Sequence, residues 1–288
     1  MPSTYDIVLG GRIMALFISD NGNGKTVAAA SFPGPIKFYD FDGRMQPVKL
    51  FYPNRKDIDY DIVGIEEQRP TGDYPGCIGF MQFAKQFEEL QDRCPWATVV
   101  VDSFTALTAV AVGFQLGIKA REGKGKKLSS GIQVPSWDEF NGEASVVQQI
   151  LDVAKILPCN MIFTAHPVDK SIDTGGTLKK ARSIAAYGTK TPSLVPIYFN
   201  EIYQFGIEPP SAPDQPAQRF VLTQPTGKDM AKTALPLPPR IDITNKPLYP
   251  ILKEICAKHN LKLEARAEER SSKVVDIKPK EPEPTTTK

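Results

Sequence analysis

The sequence predicts an α/β fold in which a mostly parallel β-sheet carries helices on both faces. Three observations point there. Short apolar runs alternate with segments of helical periodicity along most of the chain. The first apolar run leads through a turn rich in Gly and Asn into a helix-forming segment. A third apolar run ends in an acid, which a parallel sheet would place at its ligand-binding edge.

Residues 12–19 (RIMALFIS) read as a buried strand, 20–24 as a turn, and 25–31 as a short helix stopped by Phe32-Pro33-Gly34-Pro35. Residues 36–42 (IKFYDFD) form the second strand, and 48–67 are ambiguous, best read as short strands. Phe80, Phe83, Phe87 and Leu90 recur at helical spacing in 80–92. Residues 97–102 (ATVVVD) form the third strand, 104–118 a helix, 138–157 another helix and 160–166 (NMIFTAH) the fourth strand. Residues 119–130 and 170–191 read as polar loops. Later strands are expected at 197–207 and 219–223, joined by a Pro-rich link, with a last helix at 248–259. Residues 1–262 then make one core, and 263–288, charged and rich in Pro, a disordered tail.

Composition sets the bounds. With 288 residues, 41% of them hydrophobic, the chain can bury one sizeable core. Its 35 basic and 33 acidic residues nearly cancel, so nucleic-acid binding would have to come from local patches. The cysteines at 77, 94, 159 and 256 lie in no metal-ligand spacing, and reduced thiols in a cytoplasmic setting are expected. Residues 1–11 show no signal-peptide pattern, and the most apolar window, 99–118, is interrupted by Asp102, Ser103, Thr105 and Thr108, so no membrane span is expected. With two histidines and no G-x-S-x-G run, metalloenzyme and nucleophile-triad readings have no support.

The sharpest motif is Ser19-Asp-Asn-Gly-Asn-Gly-Lys25-Thr26. It follows the phosphate-binding pattern G-x-x-x-x-G-K-[ST] except that Ser19 replaces the first Gly. Gly22 and Gly24 allow the tight curl that turns backbone N–H groups onto phosphate oxygens. The loop predicts that Asn21, Gly22, Asn23, Gly24, Lys25, Thr26 and Val27 bind ATP, Lys25 facing the β- and γ-phosphates and Thr26 ligating Mg²⁺. Asp102, at the end of an apolar strand, is the expected second Mg²⁺ ligand, since a buried carboxylate there is costly without a cation.

The run Val101-Asp-Ser-Phe-Thr-Ala-Leu-Thr108 resembles the Walker B region of RecA-family recombinases, and Phe38-Tyr-Asp-Phe-Asp42 and Ile162-Phe-Thr-Ala-His166 resemble that family's second and sensor strands. Over about residues 10–245 the layout is similar to the short RecA-like single-strand-annealing proteins of phages. The resemblance implies a RecA-like P-loop core that hydrolyses ATP. Asp42 would act on the attacking water, with Asp40 as the reserve because the family more often has Glu. His166 would sense the γ-phosphate. The catalytic set is thus Lys25, Asp42 and His166.

Two basic stretches follow these strands. The first holds Lys119, Arg121, Lys124, Lys126 and Lys127; the second holds Lys170, Lys179, Lys180, Arg182 and Lys190, with Tyr187 able to stack on a base. By resemblance they occupy the places of DNA-contacting loops; on charge alone they are equally solvated loops. Lys228 and Lys232 are either contacts to a neighbouring subunit's ATP or surface lysines. The expected function is ATP-dependent single-stranded-DNA binding in recombination, with self-association into a ring or filament, in the host cytoplasm for a phage-encoded chain. The alternative is a P-loop ATPase switch or accessory factor of phage replication or packaging with no DNA affinity of its own.

Overall fold

Apolar runs become the middle of the sheet because each buries both faces. In the computed structural model, which describes residues 11–64, 77–121, 126–129, 133–173, 178–188, 190–210, 212 and 215–263, β1 (Met14–Ile18), β2 (Ile36–Asp40), β4 (Thr98–Asp102) and β7 (Asn160–Ala165) are buried at every position. With β3 (Ile58–Ile62), β10 (Glu201–Glu208), β11 (Gln218–Leu222) and β12 (Arg240–Asp242) they form one eight-stranded sheet. Its order is β12-β11-β10-β1-β7-β4-β2-β3. The six strands from β10 to β3 run parallel, and β11 and β12 add antiparallel at one edge.

Strand pleating sends alternate residues to opposite faces. Met14, Leu16 and Ile18 pack with Val99, Val101, Met161 and Phe163 under α3 (Cys77–Glu89), α4 (Phe104–Arg121) and α5 (Trp137–Ile156). Ala15, Phe17, Val100 and Ile162 pack on the other face under α1 (Lys25–Ala29), α2 (Gln46–Phe51) and α7 (Leu248–Lys258). The expected α/β architecture, mostly parallel with helices on both faces, is thus present. Local chemistry fixes the helix ends. The Ser136 N–H donates to the Glu139 carboxylate over 2.6 Å at the start of α5, and Arg12 donates to the carbonyls of Ala154, Lys155 and Leu157 at its end. Arg55 donates to the carbonyls of Ala30 (2.6 Å) and Phe32 (2.9 Å), closing the end of α1.

Several expectations change. The ambiguous stretch 48–67 holds one short strand, β3, among its described residues; α2 precedes it, with Pro47 in the first turn, where a missing N–H costs nothing, and 65–67 lie outside the described residues. The polar loop at 170–191 is mostly a β-hairpin, β8 (Pro167–Asp173) and β9 (Leu178–Ile184), standing off the main sheet. The loop expected from 119 starts later, because α4 continues to Arg121, and Lys126–Lys127 (β5) pairs with Gln133–Val134 (β6). The strand expected from 197 begins at Glu201, after the short helix α6 (Thr191–Leu194) and a 3-10 turn at Val195–Tyr198. Leu263 packs into the core, and residues 264–288 of the expected tail lie outside the described residues. No helix among the described residues is long and apolar enough to cross a membrane.

Candidate functional site

β1 ends at Ile18, and the chain turns through residues 19–24 into α1. Gly22 and Gly24 have φ of +81° and +92°, the left-handed region that side chains avoid. These two angles curl the loop, and Gly24 directly precedes the first residue of α1. Ser19, the departure from the phosphate-loop pattern, is fully buried and useful: the Lys25 ammonium donates to its carbonyl (2.8 Å), to its hydroxyl (3.1 Å) and to the Asp20 carbonyl (3.2 Å). The amine is held at the loop's mouth by neutral oxygens. Burial lowers the Lys25 pKa to about 8, against the pull of Asp102, Asp42 and Asp20.

The strand order puts β7 between β1 and β4, so the acid of β4 approaches α1 across one intervening strand. The Thr26 hydroxyl donates to Asp102 over 2.6 Å, and Thr164 of β7 donates to the other carboxylate oxygen. Burial pushes the Asp102 carboxyl up, offset in part by these two hydroxyls. A carboxylate this buried, joined to a hydroxyl beside a curled glycine loop, matches the oxygen donors that Mg²⁺ takes from a protein. Desolvated, and with no carboxylate within bonding distance among the described residues, the Lys25 ammonium suits a triphosphate. The residues therefore fit both groups.

Asp40 and Asp42 separate clearly. Asp40 is 1% exposed, and its carboxylate accepts from the backbone N–H groups of Asp42 (3.1 Å), Gly43 (2.8 Å) and Arg44 (2.8 Å). It builds the turn after β2; burial and the nearby Asp102 raise its pKa to about 6. That turn delivers Asp42 to the same cavity that residues 21–27, Asp102 and His166 line. His166 Nε2 lies 3.7 Å from Asp42 Oδ2. Burial works against the Asp42 carboxylate, but polar contacts with His166 and Ser103 outweigh it and leave the pKa below the ordinary value. Asp42 is thus an ionised carboxylate beside an imidazole at the cavity wall.

The basic candidates are dispersed. Lys119 and Arg121 lie on the last turn of α4, Lys126 and Lys127 on β5, and Lys179 on β9, while Lys124 falls outside the described residues. Lys180 is exposed on β9. Arg182, a DNA-contact candidate, is ion-paired: it faces Asp169 (3.3 Å), Asp229 (3.3 Å) and Asp20 (4.0 Å) and so ties the hairpin to the loop after β1. Lys228 and Lys232 are exposed on the segment that runs along β10, where Lys232 pairs with Ile202 and the Lys228 carbonyl accepts from the Arg182 N–H.

Sequence reasoning missed Arg219, whose guanidinium donates to the Gly22 carbonyl over 3.1 Å from β11, between β10 and the edge strand β12. It also missed Arg44, Phe51 and Tyr52, and the 243–248 segment, all of which line the cavity. Nothing near Arg219 in the chain signals a partner 197 positions away.

Comparison with known proteins adds the family. A family model described as an AAA domain matches residues 12–235. No curated protein matches. Among solved structures, a KaiC-like protein from the hyperthermophilic archaeon Pyrococcus horikoshii OT3 is a distant likeness, 13% identical over 73% of this chain and 78% of that one, with a TM-score of 0.38. The family match runs from β1 past β11 and takes in the phosphate loop, Asp42, Asp102 and His166, and the chain belongs to the AAA domain family of P-loop ATPases.

Proposed function

We propose that this protein hydrolyses ATP with Mg²⁺ and uses the cycle to bind and release single-stranded DNA, as in annealing or strand exchange by the phage proteins its motifs resemble. In this reading the loop N–H groups of residues 21–27 and the Lys25 ammonium hold the triphosphate, and Thr26 and Asp102 hold Mg²⁺. The ion supplies charge neutralisation at the phosphates when bound. Asp42, ionised and at the cavity wall, orients the attacking water or takes its proton.

The observation that carries the DNA reading is the place of His166. Its side chain is 3.7 Å from Asp42, and its backbone carbonyl accepts from the Ala185 N–H over 2.7 Å at the foot of the β8–β9 hairpin. A change at Asp42 is one residue from the base of a hairpin that displays Lys180 and runs on to the exposed Tyr187 and Lys190. Cations and an aromatic ring on such an element suit a single strand's phosphates and bases. Self-association belongs to the same reading, with Lys228 and Lys232 reaching a neighbour's ATP.

A second reading, a P-loop switch or accessory factor without DNA affinity, is favoured by Arg182, whose charge is spent on three carboxylates. Fluorescence anisotropy with a labelled oligonucleotide separates the two. The DNA reading expects tighter binding with ATP than with ADP, and an affinity falling with salt by a log–log slope of about −0.7 per phosphate neutralised. Changing Lys124, Lys126 and Lys127 to Ala should flatten that slope. Equal affinity in all three conditions would leave the accessory reading standing.

A further inference from the structure

Asp20, in the loop after β1, has two kinds of partner. Its backbone carbonyl accepts from the Lys25 ammonium over 3.2 Å and from the Ser19 hydroxyl over 2.9 Å, so its main chain helps to hold the lysine. Its carboxylate lies 4.0 Å from the guanidinium of Arg182, on β9 of the hairpin. One residue therefore joins the hairpin, through its side chain, to the lysine of the loop, through its main chain.

The guanidinium does not depend on Asp20 for its place. Asp169 of β8 and Asp229 each stand 3.3 Å from it. Asp229 is itself fixed by Thr226, whose hydroxyl donates to its carboxylate over 3.1 Å and accepts from its N–H over 3.1 Å. The Arg182 N–H donates to the Lys228 carbonyl over 2.8 Å, so main chain and side chain of Arg182 both engage the 226–229 turn. The Arg182 side chain is 27% exposed and that of Asp229 18%, against 66% for Asp20. The cation is thus fixed from the hairpin side, and the carboxylate of the loop is its loose partner.

We propose that Arg182 is a positioning residue for nucleotide binding, acting through Asp20: it compensates the carboxylate of the loop after β1 and so sets how tightly that loop takes phosphates. The proposal rests on reading residues 19–26 as the phosphate site. A carboxylate without a counter-ion, in a loop that receives a polyanion, repels the ligand and pulls on the carbonyl that holds Lys25. A guanidinium has donors enough to serve several acids at once, which lets Arg182 keep Asp169 and Asp229 while it faces Asp20. Its effect falls on affinity and not on chemistry, because Asp42 and Asp102 are held by other partners, His166 for the first and Thr26 and Thr164 for the second. The Asp20 end of the pair is open to water, so the effect is modest, about two- to fivefold in affinity.

The test is titration calorimetry with ATP and Mg²⁺ on the full chain as wild type, Arg182→Gln, Asp20→Asn and the double variant. Arg182→Gln should weaken ATP binding about two- to fivefold. Asp20→Asn alone should change it by less than about twofold, since the charge it removes is already compensated. The double variant should return to within about twofold of wild type, because the carboxylate through which Arg182 acts is gone. Arg182→Lys, which keeps the cation, should bind as wild type does. Single-turnover phosphate release from bound ATP should keep its wild-type rate in all of them. A loss in Arg182→Gln that persists when Asp20 is neutral marks a merely structural arginine and overturns the proposal, as does wild-type affinity in Arg182→Gln. If Arg182→Gln fails to fold, the exposed Asp20→Asn decides alone: a gain beyond about twofold shows a carboxylate that Arg182 leaves uncompensated and overturns it too. Lys25→Ala, run beside these, should lose ATP. If it binds as wild type does, or wild type binds no ATP, the phosphate-site reading falls and the role of Arg182 falls with it.

Discussion

Lys25 offers the most quantitative test, because burial holds its pKa near 8 before any anion arrives. Phosphates need the protonated amine, while the free protein gives up that proton above pH 8. Apparent ATP affinity should therefore be flat up to about pH 8 and fall about tenfold per pH unit above it, a loss of about 1.4 kcal/mol for each unit. ATP itself is already fully deprotonated there, so the slope belongs to the protein. The sign for folding follows from the same shift. Lys25 titrates at about 8 folded against 10.5 unfolded, so the unfolded chain binds the extra proton between those values. Stability of the nucleotide-free protein should then rise with pH across that window. Below it the buried charge costs about 3 kcal/mol, which Lys25→Met would relieve at the expense of its bonds to Ser19 and Asp20. Calorimetric titrations with ATP from pH 7 to 10 measure the first effect, and urea unfolding at the same pH values the second. An affinity profile flat to pH 10, or the same slope in Lys25→Met, would refute the assignment of this proton to Lys25.

Further outcomes are expected around the site. Asp42→Asn should bind ATP nearly normally and hydrolyse it at least a hundredfold more slowly, roughly the scale of general-base help, as read by phosphate release. Asp102→Asn should instead raise the Mg²⁺ concentration needed for nucleotide binding, because the buried carboxylate beside Thr26 is lost. Glu143 is fully buried against Thr191, and burial raises its pKa to about 7. Its folded pKa lies above the unfolded one, so the stabilisation is complete below about pH 4.5 and lost as pH rises through 7, a change of roughly 3 kcal/mol. Glu143→Gln should flatten the stability profile across that window in urea unfolding.

The loop proposed to hold phosphate was legible because its parts are local. A strand, two glycines with forced backbone angles and a Lys-Thr pair are set by a dozen consecutive residues, and Asp102 shows as an acid ending an apolar run. The fold class was legible for the same reason, since strands buried on both faces need no partner to be recognised. The β8–β9 hairpin was not, because a pair standing off the main sheet needs no apolar run, and its sequence LKKARSI shows charge before alternation. Nor could charge counting show that Arg182 is neutralised, since Asp20, Asp169 and Asp229 come from three separate segments. Asp42 and Asp40 look alike in the chain; only the turn geometry shows that one caps backbone N–H groups and the other faces the cavity.

Phosphate release from ATP in single-turnover conditions, measured for wild type, Lys25→Ala and Asp42→Asn with and without Mg²⁺, decides whether this protein is a Mg²⁺-dependent ATPase. Wild type should release phosphate only with Mg²⁺, Lys25→Ala should release none for want of binding, and Asp42→Asn should release it slowly from nucleotide that is bound. Release by Lys25→Ala at the wild-type rate, or no release by wild type with Mg²⁺ and bound ATP, would contradict it.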